Sequence, residues 1–175
     1  MKKFTLMFLI FTSIISSFVA GQTWNGSINS DWNTAANWTP SGVPGAGSSV
    51  IINNGSLGWQ PSLSGDVTIA SINMSQGILN LNGFTITCSG TASFCGDSLL
   101  NGKVIAASFS QVTNMRLGGK IILDKTGAIN NAWSGNNKVF NNSLIVIWRS
   151  GTLHLETSGP DSIFSNLKIQ AANNN

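Results

Sequence analysis

The 175-residue chain has no tyrosine, one histidine, two cysteines and only 9% charged residues. A single histidine and no CxxC pair leave no ligand set for a zinc site. Neither the EF-hand pattern nor the Gly- and Asp-rich nonapeptide that binds calcium occurs, so no metal or cofactor is expected. The acidic residues Asp31, Asp66, Asp97, Asp124, Glu156 and Asp161 are scattered, with no DD or DxD pair. Cleaving a glycosidic bond needs converging carboxylates, or a base beside a stabilising cation, so the scatter argues against an enzyme. No window carries a sustained helical stripe, and no segment after the first twenty residues is long and apolar enough to span a bilayer.

What is present begins with Met1, Lys2 and Lys3 and an apolar run from Phe4 to Ala20. A short positive region followed by an apolar one, too short for a span of ~20 residues, reads as a secretory signal over residues 1–21. Cleavage after Gly21 puts Val19 and Gly21 at the recognition positions and leaves Gln22 as the new terminus. The location expected is extracellular or at the cell surface. Without Lys2 and Lys3 the chain keeps seven basic residues against six acidic ones. The sequence pI of about 9.1 is therefore no sign of a nucleic-acid partner. Export makes a bridge between Cys88 and Cys95 chemically possible. However, Phe84, Ile86 and Cys88 alternate with threonines on one strand face, and buried thiols are favoured.

Residues 22–61 are rich in turn formers and hold Trp24, Trp32, Trp38 and Trp59. From residue 62 on, short apolar runs bounded by Gly, Asn, Ser or Pro follow one another: "VTIASINM", "ILNLNGFTITC", "GKVIAASF", "GKIILDKTG", "SLIVIWRSG" and "LKIQA". Each has strand length, so the class is all-β. Two segments repeat: Phe140, Asn142 and Ile145 recur as Phe164, Asn166 and Ile169, each 24 residues on, and Gly127 recurs as Gly151. A fixed spacing is what a solenoid demands, because each coil must return above its predecessor. The reading is a parallel β-solenoid with coils of about 20–24 residues, right-handed by the general rule for parallel crossovers. Residues 22–61 form a Trp-rich N-terminal cap and first strand, and residues 62–175 form coils expected to continue beyond residue 175. In the 24-residue register Asn142 would ladder with Asn166, Phe140 would stack on Phe164, and Lys125 would lie beside Arg149.

The tryptophan-rich opening with "GVPG", "SSVIINN" and "GILNLNGFTIT", followed by "NNKVFNNSLIVIWRSGTLHLETSGPDSIFSNLKI", resembles the β-helical region of large secreted adhesin-like surface proteins of Bacteroidetes. That resemblance covers most of the exported chain and implies a pectin lyase-like solenoid serving as a non-catalytic surface scaffold or adhesin. Partners are then a surface polysaccharide or further repeats, with end-to-end self-association at the last coil. The alternative is a carbohydrate-binding or carbohydrate-active β-helix. Its candidate ligand-binding residues are Trp133, in a polar loop, Trp148 at a strand end, the cations Lys125 and Arg149, and the outward pair His154 and Glu156. Trp24, Trp32 and Trp38 are assigned instead to the cap, since large aromatics are mostly buried. The leader carries a direct expectation: mass spectrometry of the exported protein finds its terminus within two residues of Gln22, and a retained Phe4–Val19 segment would contradict it.

Overall fold

The structure is a computed structural model that describes residues 21–55, 58–112, 116–126, 131–133, 138–140, 144–148, 153–155 and 167–171, with side chains for 21–55, 58–110, 117–124 and 126. The leader over residues 1–20, Asn142, Phe164, Asn166, Gly127 and Gly151 lie outside the described residues.

Among the described residues fourteen strands follow one another: β1 (Gln22–Trp24), β2 (Trp38–Thr39), β3 (Ser49–Asn53), β4 (Val67–Ile69), β5 (Ser71–Gln76), β6 (Ile78–Asn80) and β7 (Thr85–Phe94). After these come β8 (Ser98–Val112), β9 (Arg116–Lys125), β10 (Asn131–Trp133), β11 (Lys138–Phe140), β12 (Leu144–Trp148), β13 (Leu153–Leu155) and β14 (Leu167–Ala171). Every pairing is parallel except β1 with β2. The fold is the expected parallel β-solenoid, built as three stacks of strands. The first stack holds β1, β3, β5, the second half of β7 and the end of β8. The second runs from bridges of Ser62 to Asp31 and Asn80 through β6 and the starts of β8 and β9 to β11. The third holds β4, the first half of β7, the middle of β8, the end of β9, β12 and β14. β10 and β13 pair separately.

The step from coil to coil varies. Val50 faces Ile72, Ile72 faces Ala92 and Ala92 faces Phe109, while Val104 faces Leu123 and Leu123 faces Val146. The middle coils are thus shorter than the C-terminal ones. There the register is 23, not the 24 read from the repeated letters: Leu144 pairs Ile121 and Leu167, and Val146 pairs Leu123 and Ile169. In a strand a one-residue slip exchanges the two faces. "LIVI" is apolar at every position, so its sequence pattern does not distinguish the two registers. What decides is the neighbour, where Ile121 and Leu123 are fully buried.

Inside, the buried residues form columns: Val50, Ile72, Ala92 and Phe109 in the first stack, Leu79, Leu99 and Leu117 in the second, Ile86, Val104 and Leu123 in the third. Fully burying one such side chain is worth about 1.5–3 kcal/mol, so the columns fasten coil to coil. The first coil is closed by the tryptophans. Trp24, Trp32 and Trp38 are each about 1% exposed. Trp38 meets Trp24 and Trp32 edge to face at 5.0 and 4.7 Å. The antiparallel β2 covers the outer edge of β1, so that edge cannot template another strand. Asn37 holds the cap loop from within: its Oδ1 accepts the Ile28 and Asn29 N–H groups, and its Nδ2 donates to Asn29 Oδ1 and the Asp31 carbonyl. Asn37 is fully buried, so the Asn-Trp-Thr glycosylation motif that it begins at residues 37–39 is closed to modification in the folded chain.

Cys88 and Cys95 are not joined in a disulfide. Cys88 sits inside the third stack, and burial pushes its thiol up to about 12. The unfolded chain ionises this thiol from about pH 9, so stability due to the neutral buried form is intact below that and is lost as pH rises toward 12. In the native protein iodoacetamide leaves Cys88 unmodified at neutral pH and modifies it fully after denaturation, as read by mass spectrometry. Denaturation midpoints fall above about pH 9, and Cys88→Ala flattens that fall.

Candidate functional site

The residues singled out from sequence do not converge on one place. Lys125 ends β9 in register with Trp148 at the end of β12, and Trp148 is in register with Ala171. Lys125 therefore does not match Arg149, which lies outside the described residues together with Glu156. Trp133 is the last residue of strand β10, not part of a loop, and pairs Leu155. Its neighbour Ala132 pairs His154. The Lys125–Trp148 pair and the Trp133 and His154 positions belong to two different sheets.

The described carboxylates have another use. Asp31 Oδ1 accepts hydrogen bonds from the Asn33 N–H at 3.1 Å and, on the next coil, from the Ser64 hydroxyl at 2.9 Å. Asp66 Oδ1 accepts the Thr85 N–H at 2.8 Å. Asp97 Oδ2 accepts the Gly77 N–H at 3.1 Å. Asp124, almost fully buried, pairs Lys103 Nζ at 3.1 Å. Each of the four thus ties its own coil to an adjacent one. Charge-assisted bonds of this kind are roughly twice as strong as neutral ones; Asp66 and Asp97 stand just before β4 and β8, whereas Asp124 lies within the β8–β9 ladder. Among the described residues no three His, Cys, Asp or Glu side chains gather where they could hold a metal ion.

A concavity of about 320 Å³ opens at the turn between the second and third stacks, lined by Gly83, Asn101, Gly102, Lys103, Lys120 and Ile122. The chain makes this turn with left-handed residues on successive coils: Asn82 at φ +50° and Gly83 at +87°, Asn101 at +48°, Gly119 at +67°. Glycine and asparagine are the residues that enter this region readily. Gly119 has a second reason to be glycine, because a Cβ there would run into the Asn101 side-chain amide, which lies across it from the preceding coil. Lys103 and Ile122 are register partners on the wall, and Lys120 is exposed on the rim. Comparison does not extend this picture: no family model, no curated protein and no solved structure matches the chain. Chemistry must therefore be taken from the geometry.

Two features escaped the reading of the sequence. Trp59 is 58% exposed although its backbone is fixed at both ends, its N–H donating to the Gly26 carbonyl and its carbonyl accepting Trp24 Nε1. The concavity escaped because its walls come from three coils. A signal for it was available: no Lys or Arg occurs between Lys3 and Lys103, and all seven later cations follow. The two turn glycines separate strain from collision. Gly119→Ala lowers stability by about 1–3 kcal/mol through φ strain and displacement of Asn101. Gly83→Ala, whose Cβ would meet nothing within 4 Å, costs about 1 kcal/mol. Urea midpoints of the two variants check the order.

Proposed function

We propose that the chain is a non-catalytic module of a surface scaffold or adhesin, exported and displayed outside the cell. The single observation that carries this reading is the use of the acidic residues. Each described carboxylate holds one coil to the next, whereas acid–base catalysis needs carboxylates facing a common substrate bond. The apolar columns inside and the polar strand faces outside serve the same end, a stiff body that presents a surface. Incubation with a panel of neutral and acidic polysaccharides produces neither new reducing ends nor unsaturated products. Either product, if abolished by His154→Ala or Glu156→Ala, would replace the scaffold with an enzyme.

A further inference from the structure

We propose that the concavity at the second turn binds the carboxylate-bearing ring of an acidic sugar, with Lys120 as its principal charge. This site rests on the recess and the charges around it and stands whether or not the module acts as an adhesin.

The two lysines differ in what they are free to do. Lys103 is held by the buried Asp124 carboxylate at 3.1 Å, which fixes the ammonium and offsets its charge. Lys120 is exposed and forms no ion pair with a described residue, so it supplies the net positive charge at the rim. A carboxylate is the natural counterpart of a single exposed ammonium. The remaining surface is not that of a plain anion site. Ile122 is partly buried beside Lys103, and the space above Gly83 is open. Together they offer an apolar floor to the C–H face of a sugar ring. The Asn101 amide, lying over Gly119, brings donor and acceptor groups within the same recess for ring hydroxyls. A volume of about 320 Å³ is at the small end of ligand pockets and suits one or two rings.

Position along the solenoid favours the same partner. Coils succeed one another in sequence order, so residues 22–102, with three Asp and no cation, precede residues 103–175, with seven cations and three acidic residues. The concavity lies where the basic half begins. Beyond it, Arg116 is in register with Lys138. An anionic ligand is disfavoured on the earlier coils, where the described charges are all carboxylates.

Titration of the whole chain with digalacturonate, followed by amide chemical shifts, tests the site. The expected result is saturable shifts at Gly83, Gly102, Lys103 and Lys120, absent with neutral galactobiose and with acetate at equal concentration. Lys120→Gln weakens binding about five-fold, the loss of one exposed charge contact. Lys120→Arg retains it, and Lys168→Gln, an equal loss of charge elsewhere, changes it less than two-fold. No shifts at millimolar ligand, equal response to galactobiose or acetate, or equal weakening by Lys168→Gln would each overturn the proposal.

Discussion

A single coil of this chain cannot stand alone, because its strands present unpaired N–H and C=O groups above and below and its apolar side chains reach only the middle of the coil. Parallel hydrogen bonding to the next coil satisfies both needs together. Everything else follows from that stacking. The buried columns exist because identical depths recur at each level, and Ala92 facing Phe109 shows that volume is traded between levels to keep the interior filled. Among the described residues, β1 has only the short β2 on its outer side. Three tryptophans and one antiparallel strand supply the missing apolar cover and the missing hydrogen bonds.

The turns are where stacking is weakest, since ladders break and registers shift there. The same turns carry the left-handed asparagines and glycines and, at Asp31, Asp66 and Asp97, a carboxylate that meets a hydroxyl or a backbone N–H of the adjoining level. Polar residues that would be candidates for chemistry in another setting are thereby committed to holding coils together. A recess with two ammonium groups remains at one turn, where a Cβ on Gly83 would meet nothing within 4 Å.

Linear order becomes axial order in a solenoid, so a sequence asymmetry turns directly into a spatial one. Among the described residues, the acidic side chains Asp31, Asp66 and Asp97 precede Lys103, and the cations Lys103, Arg116, Lys120, Lys125, Lys138 and Lys168 belong to the later coils. Within a Debye length of about 8 Å at physiological salt, a ligand at Lys120 is influenced by its own coil and its immediate neighbours more than by the far cap.

Strand positions, the all-β class, the stacked coils and the burial of Trp24, Trp32 and Trp38 were legible in the sequence, because two-residue alternation and large aromatic side chains report burial locally. The 24-residue spacing came from letters that match, and it missed the true register by one because "LIVI" has no polar face to choose with. For the same reason Lys125 was matched to Arg149 when its partner is Trp148. Trp133 was placed in a loop since its flanks are polar, although pairing with β13 makes a strand of it. By itself the sequence determined that strands form and that they stack, since periodicity and turn residues are properties of neighbours along the chain. Which residues meet across the stack, and hence that Asp124 secures Lys103 while Lys120 stays free beside a glycine-floored recess, only the tertiary structure decided. Those contacts join residues 17 to 23 positions apart, a distance at which coil length and register, not local pattern, choose the partner.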